Sequence, residues 1–302
     1  MSAVILFSGQ GLQQQHHVLE LRQYCQQFAI EDALKQVLPQ LFTTHVEAID
    51  LYQNDFAQPF IFALQWCRWQ LLQHQLLDIS HVAGYSLGEL SALLCSTATD
   101  FKQGLELVYK RAQLMSQASQ SNSGLTAIQG INYENLQQLF DVTQTYLAIK
   151  INDSSVIAGG KQSHLEALEH AVQQQGASIK RLQVSIPSHT CLMQAAVGPY
   201  QDYIQQQIQS DLTIPILSGT QGYCFYQSQP AIQALVYQMD HAIDWDLCHA
   251  SILESMPEVI LELGPGSALS KMLQHNQHIH VRAWDDFKSA EGLMTWLSRC
   301  YA

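Results

Sequence analysis

The stretch Gly84-Tyr85-Ser86-Leu87-Gly88-Glu89 constrains this chain more than any other part of it. It sets a Gly-x-Ser-x-Gly elbow between the short apolar lead-in His81-Val82-Ala83 and a segment where Leu87, Leu90, Leu93 and Leu94 recur at helical spacing. Glycines are needed where a strand reverses into a helix that must pack closely, and a serine held at such a turn exposes its hydroxyl. The helix that follows aims unpaired N–H groups at the same point, where an oxyanion forming there would be stabilised. The turn therefore predicts an acyl-transferring or acyl-hydrolysing enzyme with Ser86 as nucleophile. The plainer alternative is a buried serine capping a helix between two glycines.

Three further segments decide how much weight the turn carries. Phe7-Ser8-Gly9-Gln10-Gly11 follows the apolar run Ala3–Leu6, a place where backbone N–H groups can line a site and where a simple tight turn is also common. Ile186-Pro187-Ser188-His189 follows the strand-like Leu182–Ser185; the proline ends the strand and opens a loop in which His189 is positioned as a candidate base. With 13 histidines in the chain, a single one is ordinarily a surface or core residue. Leu261-Glu262-Leu263-Gly264-Pro265-Gly266 is a strand running into a turn, and alone is punctuation.

The pattern of elements predicts an α/β architecture in two parts. Residues 1–122 alternate strands and helices: Ala3–Phe7, helical spacing through Leu19–Gln40 and Pro59–Leu76, then His81–Gly84 and the elbow. The polar run Ser116–Ser123 reads as a hinge. From Gly124 to Pro187 the order is β-α-β-β-α-β, a ferredoxin-like pattern. Its strands are Leu125–Gln129, Tyr146–Asn152, Ser155–Gly159 and Ile179–Val184; its helices are Tyr133–Asp141 and Lys161–Gln175. From Cys191 the first part resumes with a helix to Gln209, a strand at Ile214–Ser218, helices at Ile232–Met239 and Trp245–Glu254, and a strand at Val259–Leu263. The expectation is a large, hydrolase-like domain with a parallel sheet, residues 1–122 and 191–302, interrupted by a small ferredoxin-like α+β domain, residues 123–190. Ser86 and His189 would face each other across the cleft between them.

Charge and cysteine usage narrow the partners. The chain has 302 residues, of which 14 are Lys or Arg and 26 Asp or Glu, a formal charge of -12 that argues against nucleic acid. No apolar run approaches the roughly 18 residues of a membrane span. Seven scattered cysteines include no Cys-x-x-Cys pair and no metal-like grouping with histidine, so neither a disulfide framework nor a metal site is expected. Met1-Ser2 runs straight into a core strand without a signal peptide, and the expected location is cytoplasmic.

Taken in order, the Gly-Gln-Gly turn, the Gly-x-Ser-x-Gly-Glu elbow, Arg111 in Tyr109–Met115, Pro187-Ser188-His189 and Gly264-Pro265-Gly266 resemble the malonyl-CoA:acyl-carrier-protein transacylase family over nearly the whole chain. Asn152 and the Asn54–Pro59 stretch match further landmarks of that family. Tyr85, Ile243-Asp244-Trp245 and Trp284-Asp285-Asp286-Phe287 depart from its fatty-acid-synthesis members and are similar to the transacylase, or epsilon, subunit of biotin-independent malonate decarboxylase.

The resemblance implies ping-pong acyl transfer, with Ser86 forming a malonyl ester that a carrier-protein thiol then attacks. It implies His189 as general base, the backbone N–H groups of Gln10 and Leu87 as the oxyanion hole, and Arg111 as the clamp for the free malonyl carboxylate. Asp244 either orients His189 as a third member of the set or contributes only its backbone. Tyr85, Asn152 and Ser188 are supporting residues, and Met115, Leu192 and Met193 line the pocket or fill the core behind it. Pro187-Ser188-His189 is compatible with malonyl and leaves methylmalonyl open. No bound cofactor is implied: the substrate is malonyl-CoA and the acceptor is the prosthetic-group thiol of a carrier protein. The partners implied are an acyl carrier protein subunit and other malonate decarboxylase subunits. Because both partners are anionic, a local basic patch is expected from Lys110, Lys161, Lys180 and Arg181. The alternatives are a malonyl transacylase serving fatty-acid or polyketide synthesis, an acyl hydrolase on the same fold, and a non-catalytic subunit that docks a carrier.

Overall fold

Five consecutive apolar residues with no polar alternation suit a strand covered on both faces, and Ala3–Phe7 form such a strand, β1, fully buried. The computed structural model describes residues 2–75, 78–119, 122–276 and 278–300. After β1 come α1 (Gln15–Phe28), α2 (Glu31–Val37), α3 (Gln40–Thr43), α4 (Asn54–Leu72), β2 (Ile79–Gly84), α5 (Leu87–Ser96) and α6 (Phe101–Ala118). The chain continues through β3 (Ser123–Gln129), α7 (Tyr133–Thr143), β4 (Tyr146–Asn152), β5 (Ser155–Lys161), α8 (Gln162–Gln174) and β6 (Ser178–Arg181). It then forms α9 (Gln194–Gln207), β7 (Ile216–Leu217), β8 (Cys224–Phe225), α10 (Ser228–Tyr237), β9 (Ile243–Asp244) and α11 (Trp245–Glu254). Last are β10 (Val259–Glu262), α12 (Ala268–Leu273), β11 (His280–Ala283) and α13 (Ala290–Cys300).

The larger sheet has the order β11-β10-β1-β2-β7-β8. All its pairings are parallel except the edge strand β8, which is antiparallel to β7. Phe7 pairs with Gly84, so β1 and β2 end level and their following loops, Ser8–Gly11 and Tyr85–Ser86, lie side by side. The carboxyl ends of parallel strands are where open α/β sheets hold ligands.

The smaller sheet has the order β6-β3-β5-β4-β9. Its first four strands pair antiparallel, and α7 and α8 cover one face through Leu136, Phe140, Leu165, Leu168 and Val172. The other face, with Leu125, Ile149 and Ile157, joins Leu217 and Trp245 in the core cluster that links it to the larger sheet. Burial on both faces holds this sheet over the ends of β1 and β2.

Several element boundaries differ from those expected. Within the helical stretch expected over Leu19–Gln40, Ala29, at φ +53°, closes α1, and α2 and α3 follow as separate helices. The helix expected from Pro59 starts five residues earlier, and its expected end, Leu76, lies outside the described residues, as do Gln120 and Ser121 of the polar hinge. The strand expected to reach Val184 ends at Arg181, and the chain then turns in to wall the site. A fifth strand, β9, pairs parallel to β4 through Ile149↔Ile243 and comes from beyond the expected small-domain segment. Two residues are too few to show alternation in a sequence. Among the described residues, no helix is long and apolar enough to cross a membrane.

Candidate active site

The turn between β2 and α5 holds Ser86 at φ +58° and ψ −114°, a backbone conformation that non-glycine residues rarely adopt. Close packing forces it: a Cβ on Gly88 would sit 1.9 Å from the Phe7 carbonyl oxygen, and one on Gly84 2.0 Å from the Gly88 carbonyl carbon. Helix and strand therefore touch backbone to backbone, and only glycine allows it. Ser86 occupies the N-cap position of α5, yet its side chain makes no capping bond. Its Oγ instead lies 2.7 Å from His189 Nε2. This geometry removes the plainer reading of Ser86 as a helix cap.

His189 is buried, at φ +62°, in the loop after Pro187. Its backbone N–H donates to the Met239 carbonyl at 3.0 Å. Its Nδ1 lies 2.5 Å from the Gln238 carbonyl oxygen. A carbonyl only accepts, so Nδ1 carries the proton and Nε2 is left as the acceptor facing Ser86. Burial pulls the imidazole pKa down to about 3 against the opposing pull of the Gln238 carbonyl, so the ring is neutral at physiological pH. A neutral ring with Nε2 bare toward a serine hydroxyl is ready to accept its proton.

Sequence reasoning missed Gln238. It acts here through its main-chain carbonyl, which no side-chain pattern can announce. Asp244, considered as the orienting acid, does not fill that role: its carboxylate caps α11 by accepting from Leu247 N–H at 3.1 Å. An Asp directly before a helix satisfies the helix's own unpaired N–H groups, and that local bond holds it.

Arg111 enters from α6, 1% exposed. Its Nη1 donates to Gln58 Oε1 at 2.7 Å, while Nε and Nη2 are buried with no hydrogen-bond partner among the described residues. Burial lowers its pKa, but a guanidinium keeps its charge. A buried cation with two idle donors is costly unless something anionic arrives. Gln58 in turn donates to Asn54 Oδ1 at 2.7 Å, which also accepts from Gln10 Nε2 at 3.2 Å. One chain of amides thus joins the loop after β1 to the arginine.

Ser86, His189, Arg111 and the three amides converge on one cavity of about 60 Å³. Its polar floor is Gln10, Asn54, Gln58, Ser86, Arg111, Ser188 and His189; Leu125, Ile149, Ile157, Leu182, Val184 and Ile186 form an aliphatic wall. Tyr85 and Met115 also line the cavity, and the Tyr85 ring meets Trp245 edge-on at 5.2 Å. Leu87 is the first residue of α5, where backbone N–H groups have no intrahelical acceptor. A larger groove of about 570 Å³, beside Trp66, Trp69 and Asp100, holds none of these residues.

Other expected residues lie apart from the cavity. Asn152 is exposed at the β4–β5 turn, where its Oδ1 accepts from Ser154 N–H at 2.9 Å. Met193 is core and Leu192 packs against the core without lining the cavity. The four basic residues expected at the mouth are dispersed: Lys110, on α6, lies over the ring of Tyr203 on α9, and Arg181 is paired with Glu169 at 2.9 Å. Lys161 and Lys180 are placed on the smaller sheet, Lys161 exposed at the end of β5 and Lys180 within β6. His16, His17 and Asp285 bring possible metal-ligand atoms within 4.8 Å of one another. That Asp285 carboxylate is already held by Arg68 at 2.7 Å and by Gly266 N–H at 2.6 Å, and a guanidinium beside it repels a metal ion.

The family model described as acyl transferase domain matches residues 4–293. A polyketide-biosynthesis malonyl-CoA–acyl carrier protein transacylase of Bacillus velezensis is 26% identical over 233 residues, covering 74% of this chain and 78% of the relative. A malonyl-CoA–acyl carrier protein transacylase of Salmonella typhimurium is 29% identical over 224 residues, 70% of this chain and 71% of the relative. A malonyl-transacylase solved in complex with its type II polyketide synthase acyl carrier protein superposes with a TM-score of 0.87 at 24% identity, over 98% of this chain and 99% of that one, a likeness of fold.

Proposed function

Because the chain belongs to the acyl transferase domain family, we propose that it is a malonyl transferase carrying malonyl from CoA to the thiol of an acyl carrier protein. The observation that carries this reading is the pairing, in one small cavity, of a Ser86–His189 couple with an Arg111 that has two donors unsatisfied. The first makes and breaks acyl esters; the second selects an acyl group that bears its own carboxylate. Malonyl has that second carboxylate and acetyl does not. The names of the two curated relatives support the same donor and acceptor classes.

In the first half-reaction Ser86 Oγ attacks the thioester carbonyl carbon as its proton passes to His189 Nε2. The oxyanion is held by the N–H groups of Gln10 and Leu87. The C–S bond then breaks, and the CoA sulfur leaves with the proton from His189. In the second half-reaction the carrier thiol gives its proton to His189 and attacks the malonyl ester, and Ser86 oxygen leaves, regaining the proton. The Gln238 carbonyl keeps the imidazole in the tautomer both steps need.

The molecule falls into a discontinuous large domain, residues 1–122 and 191–302, and a ferredoxin-like domain, 123–190; the strand order β6-β3-β5-β4 supports that reading of the smaller part. The carrier belongs to one of two systems. The polyketide-biosynthesis relative supports a synthase carrier. Tyr85, Ile243-Asp244-Trp245 and the Trp284–Phe287 segment support the carrier and neighbouring subunits of a malonate decarboxylase.

The test is to supply malonyl-CoA with phosphopantetheine-bearing carriers of both kinds and to weigh each carrier. A malonyl increment on a carrier, absent with Ser86→Ala, is the expected result. Free malonate accumulating with no loaded carrier would make the protein a hydrolase.

A further inference from the structure

Glu89 stands on the first turn of α5, close behind the nucleophile, and has no part in the steps above. It is 2% exposed, and burial pushes its carboxyl pKa up to about 8. A buried carboxyl beside a nucleophile calls for a reason, and its partners supply one. Its Oε2 accepts from Gly219 N–H at 3.0 Å and from Gln238 Nε2 at 2.9 Å. Gln238 Nε2 also reaches the Ser86 carbonyl oxygen at 3.4 Å. The same residue's main-chain carbonyl holds His189 Nδ1 at 2.5 Å.

We propose that Glu89 is a positioning residue for the base: by fixing the Gln238 side chain, it holds the Gln238 carbonyl on His189. This rests on the Ser86–His189 reading above. The geometry is specific. Glu89 rides on the helix that Ser86 opens, so nucleophile and anchor move as one body. Gln238 caps the C-terminus of α10, its N–H bonded to the Ala234 carbonyl at 3.0 Å, so its own carbonyl lies past the helix and is open to His189. Glu89 also binds the Gly219 backbone, where a Cβ would come within 2.6 Å of its Oε2. Three chain segments that meet at the site are joined through one carboxyl oxygen.

A fluorophosphonate probe tests this without malonyl-CoA or a carrier. Ser86 Oγ attacks phosphorus, fluoride leaves, and His189 takes the proton, so the labelling rate reads the alignment of the couple. General-base assistance is worth about a hundredfold or more, so partial loss of alignment should slow labelling at least about tenfold in Glu89→Ala. Glu89→Gln, which keeps an acceptor oxygen, should stay within about threefold of wild type. Gln238→Ala keeps the main-chain carbonyl but loses the tie, and should be slowed like Glu89→Ala, with the double variant no slower than either. In malonyl transfer, kcat should fall while KM for malonyl-CoA holds, because Glu89 touches no substrate.

Unslowed labelling in Glu89→Ala, or losses that multiply in the double variant, would overturn the inference. If Glu89→Ala does not fold, Gln238→Ala decides: slowed labelling supports the inference and wild-type speed overturns it. Wild type that fails to label at Ser86 would overturn the Ser86–His189 reading itself, a distinct result.

Discussion

Ser86 Oγ and His189 Nε2 lie 2.7 Å apart, and both residues hold positive backbone φ angles, +58° and +62°. Positive φ is uncommon outside glycine, and Ser86 at ψ −114° lies outside the left-handed helical region as well. The strain is local to the couple and is held by the surrounding packing: Gly84 and Gly88 on one side, the Met239 and Gln238 carbonyls on the other. Such over-determined backbone clusters at sites whose chemistry depends on fixed geometry.

Arg111→Ala should lower kcat/KM for malonyl-CoA by about a hundredfold, the equivalent of about 3 kcal/mol for lost charged hydrogen bonds. Activity with acetyl-CoA should fall far less, since acetyl offers the guanidinium nothing. Measuring kcat/KM for both donors checks it; equal losses would mean that Arg111 is structural.

The lowered pKa of His189, about 3 against an ordinary 6.5, has two consequences of definite sign. The ring stays neutral below pH 6.5, so acylation of Ser86 should hold its rate as pH falls through that value, read by quenched mass spectrometry. Stability moves the other way. The unfolded chain takes up a proton below 6.5 that the folded chain refuses until about 3, so stability is lost as pH falls through this window, by at most about 1.4 kcal/mol per pH unit. Denaturant melts of wild type and His189→Gln at pH 7 and pH 5 should show the smaller drop in the variant.

Glu89 shifts in the opposite direction. Its carboxyl pKa is raised to about 8 from 4.5, so its contribution is fully present below 4.5 and lost as pH rises through 8. Glu89→Gln cannot ionise, so its melting temperature should gain on wild type from pH 5 to about pH 8 and level off above it. A constant difference across that range would contradict the assignment.

Gly88→Ala should cost about 3 kcal/mol or more, at or beyond the upper end for overpacking, because the added methyl meets the Phe7 carbonyl and not a movable side chain. Chemical denaturation measures it, and a loss under about 1 kcal/mol would mean the strand-to-helix contact is looser than the geometry indicates.

The parts of this site that sequence exposes are those marked by backbone chemistry. Gly84 and Gly88 bracket Ser86 because a side chain at either would collide with backbone, and Pro187 marks the loop that delivers His189. Long elements with clear spacing, such as Trp245–Glu254 and Tyr146–Asn152, are legible in full. Gln238 is not, since it meets His189 through its main-chain carbonyl while its side chain bonds Glu89. Asp244 misleads for a related reason: a carboxylate near the expected site suggests an orienting acid, while its place before a helix makes it a cap. Strands β8 and β9 span two residues each and carry no periodic signal.

The central claim is that Ser86 takes a malonyl group chosen by its carboxylate, and the most direct measurement is intact mass after brief incubation with malonyl-CoA or acetyl-CoA. Wild type should gain a malonyl increment, Ser86→Ala should gain none, and acetyl-CoA should leave little or no adduct on either. An acetyl adduct equal to the malonyl one would contradict the role given to Arg111, and a malonyl adduct persisting in Ser86→Ala would contradict the nucleophile itself.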